Sequence, residues 1–289
     1  MLYLVGTLPL MDLEIHEGEA RLVENKFMIN DRVFPINRGT ASMMAACCAV
    51  CEKYGLENPR CLVSGDIGKG DGSATLYRYL RDNIPRMEAM VITLHYIMPN
   101  LPLHNEVLEA IKTMEKRPFL IADAGYMYIA KMSGHAPFYD LFTPDLGELA
   151  FLADKKAPHP FYTRGFIFHM EDRSQELIRM AYEENNAAQF MCVKGQRDYI
   201  CKDGQILDEV YEPDVPELEA IGGTGDTITG IIAALIYKGI SPQDASTVSA
   251  KVNRLAGKLA SPTPATQIGK VIEMIPPALD ALQLQELRE

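Results

Sequence analysis

The residues best suited to chemistry lie in IGGTGDTITGIIAALIYKG, residues 221–239, where a glycine-rich segment precedes an apolar helical pattern. Isoleucine and leucine recur at the spacing of one helix face over 228–236. The glycines therefore stand at the N-terminus of a predicted helix, 226–238, where unsatisfied N–H groups and the helix dipole favour an anion. Because small residues let the backbone approach that anion closely, this stretch predicts an anion-binding loop.

Asp226 follows these glycines directly. A carboxylate beside an anion site is explained if it accepts a proton from a hydroxyl group that attacks a phosphate. The alternative is that the glycines only form a turn and that Asp226 complements the helix dipole. The residues of this stretch alone leave both interpretations open.

Length and charge restrict the class of protein. The 289 residues suit one large domain, and 47% of them are apolar, enough for a sizeable core. With a net charge of −11 and a pI near 5.1, the protein is a poor partner for nucleic acid or an anionic membrane, so we expect a small-molecule ligand. The N-terminal residues lack the basic region of a signal peptide, and we expect a cytoplasmic protein with six buried free cysteines.

Short apolar segments alternate with helical patterns along most of the chain. Such alternation predicts an α/β fold of three layers, with a mostly parallel central sheet covered by helices on both faces. The predicted strands are 2–6, 61–65, 90–97, 118–123, 140–143, 189–194 and 199–202. The predicted helices are 39–54, 73–82, 104–117, 146–154, 172–185, 226–238, 243–260 and 269–284.

Residues 11–36 interrupt this alternation. Polar and apolar residues alternate there, with turn signals at Glu17-Gly18 and Asn30-Asp31, which predicts a small antiparallel hairpin set. A lid over the site, a contact in a homodimer and a plain surface hairpin all agree with this pattern. Residues 155–168 show no periodicity, and no element is predicted for them.

Several charged residues fall at or just after the ends of predicted strands, where the active sites of parallel sheets lie. They are Asp12, Asp66, Asp123, Asp145 and Lys194. In the acidic turn GDIGKGDG, 65–72, contact of Asp66 with substrate hydroxyls and a solvent-exposed turn are equally consistent with the sequence.

The GGTGD segment ahead of a long apolar helix resembles the signature of the ribokinase-like superfamily. In that superfamily the glycine-rich loop forms an anion hole for the transferred phosphate, and the aspartate is the general base. The resemblance implies that Asp226 is the base and that Gly223, Thr224 and Gly225 form the anion hole.

Two further segments match the superfamily in the expected order. FTPDLGELAFLAD, 142–154, resembles its T-P-N-x-x-E segment, with Asp145 in place of Asn, and implies that Asp145 and Glu148 act on the phosphates through Mg²⁺. VKG, 193–195, implies nucleotide contacts by Lys194 and Gly195, joined by Gly222. Without the resemblance, Glu148 would be an acid at a helix N-terminus and Lys194 a surface lysine.

The N-terminal half resembles the sugar-kinase branch. The matching segments are LVGTLPLMDLEI, NRGTASMMAACCAVCEKYG and VSGDIGKGDGSATLYRYL, which imply substrate contacts by Asp12, Gly39 and Asp66. Asp123, at a predicted strand end, is the fourth candidate. The Asn that this branch carries in the helix after Gly39 is absent.

The C-terminal half resembles another branch, the nucleotide-dependent NAD(P)H-hydrate dehydratases, which drive a dehydration by phosphorylating a hydroxyl group. The matching segments are GGTGDTITGIIAALIYKG, LGE at 146–148 and DAGYMYIA at 123–130. This chain departs from that family near 95–101, where HYIMPNL replaces a glycine-rich turn.

Together these segments predict a Mg²⁺-dependent phosphotransferase that moves the γ-phosphoryl group of ATP to a hydroxyl of a sugar or vitamin-like molecule. The first alternative is an ATP- or ADP-dependent NAD(P)H-hydrate dehydratase, a carbon–oxygen lyase. The second is a protein of the same fold that binds a nucleotide or metabolite without catalysis.

Overall fold

The structure, a computed structural model, describes residues 1–24, 26–157, 173–263 and 265–286, the last four without their side chains. Within these ranges the strands are β1 Leu2–Leu8, β2 His16–Val23, β3 Lys26–Ile29, β4 Arg32–Phe34, β5 Arg60–Gly65, β6 Val91–His95, β7 Phe119–Asp123, β8 Leu141–Phe142, β9 Phe190–Val193, β10 Asp198–Lys202 and β11 Gln205–Val210. The helices are α1 Thr40–Tyr54, α2 Asp71–Asn83, α3 Leu101–Lys112, α4 Gly125–Met132, α5 Leu146–Ala153, α6 Ser174–Glu183, α7 Thr224–Tyr237, α8 Pro242–Ala260, α9 Ile268–Ile272 and α10 Ile275–Glu286.

Hydrogen bonds connect the described strands in the order β11-β10-β9-β8-β7-β6-β1-β5-β2-β3-β4. Strands β6 to β9 pair in parallel, whereas β9–β10, β2–β3 and β3–β4 are antiparallel. The predicted α/β fold, a mixed and mostly parallel sheet with helices around it, is therefore confirmed. No helix among the described residues is long and apolar enough to cross a membrane.

The chain divides into two compact units, and the prediction of a single domain over 1–289 stays a prediction. The first unit comprises Met1–Leu4, Glu17–Cys61 and Val210–Glu289, and the second comprises Val5–His16 and Leu62–Glu209.

In the first unit, helix α1 is buried along most of its length. Every residue from Thr40 to Cys51 is shielded from solvent, as expected of a helix that is apolar on all sides. Helix α7 crosses α1 at Gly230, where an added Cβ would lie 2.0 Å from the carbonyl oxygen of Met43. All six cysteines of the chain are free and buried, as predicted, and burial raises the pKa of the Cys47, Cys48 and Cys61 thiols well above its usual value.

In the second unit, the four parallel strands β6 to β9 are short and almost wholly buried, which explains their continuous apolar sequences. Helix α5 begins at a complete capping box, in which the Asp145 carboxylate accepts from the Glu148 N–H and the Glu148 carboxylate accepts from the Asp145 N–H. This cap places both acids directly after β8.

The N-terminal hairpin set is a three-stranded antiparallel arrangement, β2 to β4. The turn predicted at Asn30-Asp31 is confirmed, since it joins β3 to β4 and Asn30 has a φ of 50°. The turn predicted at Glu17-Gly18 is wrong because both residues belong to β2. Gly18 leaves room for a neighbour: a Cβ at this position would lie 2.2 Å from the Asn30 side chain, which would have to move.

Other differences concern element ends and short elements. The predicted helix 269–284 is two helices, α9 and α10, and the prediction missed α4 and β11. The predicted start of helix 172–185 and most of the unassigned segment 155–168 lie outside the described residues. Helix α8 starts at Pro242, one residue before the predicted 243, and the Ser241 hydroxyl caps it by accepting from the N–H of Asp244.

Candidate active site

The predicted anion-binding loop does open a buried helix. Helix α7 starts at Thr224, and Gly223, with a φ of 108°, is its N-cap and has no side chain to satisfy the first N–H groups. A Cβ on Gly223 would lie 3.0 Å from the hydroxyl oxygen of Ser42, so glycine is needed for both conformation and space. The first turn of α7 thus presents N–H groups that can donate hydrogen bonds to a phosphate.

Asp226 lies in this first turn and is half-buried. Its Oδ2 atom accepts a hydrogen bond from the backbone N–H of Gly39, at 2.7 Å, and a longer one from the hydroxyl of Ser42, at 3.4 Å. Gly39 has a φ of 68° and a ψ of −142°, which only glycine adopts readily. The loop before α1 therefore orients the carboxylate of the predicted base.

A second set of hydrogen bonds holds the first turn of α7 from the side of α8. Asn253 donates to the carbonyl of Thr224 at 3.0 Å, and its Oδ1 accepts from the hydroxyl of Thr227 at 2.6 Å. Thr227 and Asn253 are buried, so these bonds are sheltered from competing water. The predicted anion hole is therefore rigidly supported within the first unit.

The second unit gathers charged side chains where β6, β7 and β9 end. Lys194, only 8% exposed, donates to both carboxylate oxygens of Asp123 at 3.0 Å. The Nε2 atom of His95 lies 3.5 Å from Oδ2 of Asp123, and both side chains are buried. Buried charges are tolerated when they are paired, and this arrangement pairs them. In this geometry the Lys194 ammonium contacts Asp123, and its predicted contact with nucleotide stays a prediction.

Glu148 lies beside these groups on α5. Burial, followed by repulsion from the Asp145 and Asp123 carboxylates, raises the pKa of Glu148 to about 8, although Lys194 opposes the rise. The hydroxyl of Tyr128 donates to Glu148 across 3.4 Å. A site where carboxylates repel one another is one that a divalent cation would stabilise, and carboxylate oxygens are the ligands that Mg²⁺ prefers.

Two of the predicted substrate-binding acids, Asp12 and Asp66, lie in loops. Strand β1 ends at Leu8, so Asp12 does not end the strand and instead lies exposed in a turn with a φ of 59°. The carboxylate of Asp66 accepts hydrogen bonds from the N–H groups of its own loop and from the Ser73 N–H and hydroxyl. Burial alone would raise the pKa of Asp66, but these bonds outweigh it and lower the pKa. Asp66 thus organises the start of α2, and its predicted contact with substrate stays a prediction.

The predicted residues therefore form two groups. In the first unit, Gly39 contacts Asp226 directly, beside Gly222, Gly223, Thr224 and Gly225. In the second unit, Asp123, Asp145, Glu148, Lys194 and Gly195 lie at the ends of β7, β8 and β9. Their roles in binding and catalysis stay predictions.

Three residues that lie in these two groups were not predicted from the sequence. His95 ends β6 and could have been found by the strand-end argument that selected Asp123. Ser42 is a polar residue inside a buried, alanine-rich helix, which is a signal of a specific hydrogen bond. Arg38 precedes Gly39, and only the folded structure brings it to the glycines at 222 and 223.

Comparison with known proteins decides between the two branches. The family model of NAD(P)H-hydrate dehydratases matches residues 86–276. The chain belongs to the NAD(P)H-hydrate dehydratase family. The expectation of a phosphotransferase with an alcohol acceptor is therefore wrong, because the members of the matching family are named as dehydratases, which are lyases.

The matches to individual relatives cover different shares of this chain. An uncharacterised protein of Methanocaldococcus jannaschii is 38% identical over 239 residues, which are 82% of this chain and 98% of the relative. The ADP-dependent (S)-NAD(P)H-hydrate dehydratase of Nitrosopumilus maritimus is 32% identical over 84 residues, 28% of each chain. The matched segment covers less than a third of this named dehydratase.

Solved structures support the fold. The ADP/ATP-dependent NAD(P)H-hydrate dehydratase of Bacillus subtilis, co-crystallised with ATP and Mg²⁺, aligns with a TM-score of 0.57 at 14% identity, over 97% of this chain and 90% of that chain. A ribokinase-like superfamily protein of Enterococcus faecalis aligns with a TM-score of 0.56 at 14% identity, over 96% and 86% of the two chains. The predicted ribokinase-like fold is therefore confirmed.

Proposed function

We propose that this chain is a nucleotide-dependent NAD(P)H-hydrate dehydratase in which Asp226 is the general base. The observation that carries the proposal is the carboxylate of Asp226 in the first turn of α7, oriented by the N–H of Gly39 at 2.7 Å. Family membership supplies the substrate class.

The geometry suits removal of a proton from the hydroxyl group of the hydrate. As the oxygen attacks the terminal phosphoryl group of the nucleotide, its proton passes to the carboxylate of Asp226. The bond between that phosphoryl group and the rest of the nucleotide breaks, so that ADP leaves from ATP, or AMP from ADP. The N–H groups of Gly223, Thr224 and Gly225 stabilise the charge on the phosphoryl oxygens. The phosphorylated carbon then loses inorganic phosphate, a neighbouring carbon loses a proton, and the reduced nicotinamide is restored.

Asp145 and Glu148 would hold Mg²⁺, with Lys194 and Gly195 assigned to the nucleotide. The metal neutralises phosphate charge when it is bound. The crowded carboxylates around Glu148 fit this role, because burial and then their mutual repulsion raise its pKa, and a divalent cation would offset that repulsion. Either ATP or ADP could donate the phosphoryl group, and both belong in the assay.

The direct test is recovery of the near-ultraviolet absorbance of reduced nicotinamide when NADH hydrate or NADPH hydrate is mixed with the protein, Mg²⁺ and ATP or ADP. We expect Asp226→Asn to lower kcat about 10²–10⁴-fold, the usual contribution of a positioned base, while nucleotide binding persists.

Asp244 offers a matched control, because it lies at the third position of helix α8, as Asp226 does in α7. Asp244→Asn removes a helix-terminal carboxylate without touching the site, and we expect kcat within twofold of wild type. Full activity of Asp226→Asn would overturn the assignment of the base. ATP binding without turnover of either hydrate would favour a non-catalytic binding protein.

A further inference from the structure

Arg38 lies in the link between β4 and α1 and directly precedes Gly39, which ends that link. Its side chain is exposed, and within the described part of the chain it forms no hydrogen bond or ion pair. An arginine whose charge is not neutralised by a neighbour is available to an anionic ligand.

The side chain of Arg38 runs along the glycine-rich loop. A Cβ built on Gly222 would lie 3.2 Å from Cδ of Arg38 and 3.5 Å from its Cβ. A Cβ built on Gly223 would lie 3.3 Å from Cα of Arg38. The carbon that carries the guanidinium group therefore lies over Gly222, one residue before the N-cap of α7.

The same short segment also orients the base. The N–H of Gly39, the residue after Arg38, donates to Asp226 at 2.7 Å. Residues 38 and 39 thus contribute two different groups to one loop: an amide aimed at the carboxylate, and a cation beside the glycines that precede it. The backbone N–H groups would stabilise the negative phosphoryl oxygens with partial positive charges. A guanidinium group adds a full positive charge.

We propose that the guanidinium of Arg38 binds the phosphoryl group during its transfer. This inference rests on the proposed function, since it assigns a further residue to the same step. Arginines that stabilise a phosphoryl group in this way typically contribute about 10³-fold or more to kcat. Because Arg38 is exposed, and water competes for its charge, we expect the lower end of that range.

The test compares Arg38→Met, Arg38→Lys and a control, Arg21→Met, which removes an exposed arginine from β2. We expect Arg38→Met to lower kcat about 10³-fold with the Kd for ADP changed less than threefold. Arg38→Lys should recover part of the loss, and Arg21→Met should match wild type. Thermal unfolding of each variant reports on its folding.

A second readout separates binding of the phosphoryl group from a structural role. ADP with aluminium fluoride imitates the transferring phosphoryl group, and calorimetry measures its affinity against that of ADP alone. We expect wild type to bind the mixture more tightly and Arg38→Met to lose that preference. An unchanged preference, or kcat within threefold of wild type, would overturn the role of Arg38.

The two proposals fail in different ways. If wild type does not convert either hydrate, the proposed function is wrong, and the aluminium fluoride comparison still decides whether Arg38 binds a phosphoryl mimic. If wild type converts a hydrate and Arg38→Met does so equally well, only the role of Arg38 is wrong.

Discussion

Glu148 shows how a single side chain in this site can store a proton. Burial and the neighbouring Asp145 and Asp123 carboxylates raise its pKa to about 8, from an ordinary value of 4.5. Between these two values the native state holds a proton that the unfolded chain has already lost. The free energy of unfolding must therefore fall as pH rises through this window, by at most about 1.4 kcal/mol per pH unit.

This predicts a difference between wild type and Glu148→Gln, measured by urea unfolding from pH 5 to pH 8 with EDTA and without nucleotide. Wild type should lose about 1–3 kcal/mol more stability over the window than the variant, which has no proton to release. The glutamine side chain keeps an oxygen that can accept from the Asp145 N–H, so the capping box survives. Parallel pH profiles would show that Glu148 titrates normally.

At the scale of single residues, type and spacing singled out Asp226 and its glycines, and the superfamily resemblance added Glu148; their roles stay predictions. They could not predict the partner of Asp226, because Gly39 lies 187 positions away and contributes only a backbone N–H. Lys194 illustrates a second limit. A lone lysine reads as a surface residue, whereas in the fold it is buried against Asp123.

At the scale of elements, the close crossing of α1 and α7 depends on the absence of a Cβ atom at Gly230. Alanine favours a helix over glycine by about 1 kcal/mol, so helix propensity alone would make Gly230→Ala stabilising. The added methyl group, however, would lie 2.0 Å from the carbonyl oxygen of Met43 and 3.1 Å from the backbone nitrogen of Cys47. Neither backbone atom can move unless the helices separate.

The steric clash should therefore outweigh the gain in helix propensity. We expect Gly230→Ala to lower the free energy of unfolding by about 2 kcal/mol or more. Gly269→Ala is the matched control, since Gly269 also lies in a helix of the first unit and a Cβ there meets no atom within 4 Å. That variant should be unchanged or stabilised by up to about 1 kcal/mol. Equal denaturant midpoints for both variants would show that the helices tolerate the methyl group.

Long elements with clear periodicity were predicted well, and short or interrupted ones were not. Helix α4 follows Ala124, whose φ of 51° is unusual for a residue with a side chain, so no standard start signal marks it. Helices α9 and α10 form one apolar pattern, and only the pair Pro276-Pro277 signals that a new helix begins. In β2, Gly18 permits close packing against Asn30, but in the sequence a glycine with this role cannot be distinguished from a glycine that marks a turn.

For the whole molecule, the sequence predicted the superfamily but favoured the wrong class of enzyme. In the proposed function, as in a kinase, the glycine loop and Asp226 would take part in phosphoryl transfer to a hydroxyl. What distinguishes a kinase from a dehydratase is the fate of the phosphorylated product, which depends on the chemistry of the acceptor. No residue near 221–226 encodes that difference, and the family match supplied it.

Net charge links the whole molecule to its nucleotide. With a net charge of −11, the protein repels a free nucleotide, and a bound divalent cation offsets this repulsion. A ligand that binds only the native state at 100 times its Kd stabilises that state by about 2.7 kcal/mol. We expect that gain for ATP or ADP with Mg²⁺, measured as the change in free energy of unfolding.

Removal of the metal with EDTA should abolish more than half of this gain, because the uncompensated phosphates then face the acidic protein and the carboxylates around Glu148. Asp226→Asn should keep the full gain, since the base takes a proton and does not hold the nucleotide. The double variant Asp145→Asn, Glu148→Gln should respond to nucleotide equally with and without Mg²⁺. If wild type gains as much stability from nucleotide in EDTA as in Mg²⁺, these carboxylates do not hold the metal, and the nucleotide binds through backbone and cationic groups alone.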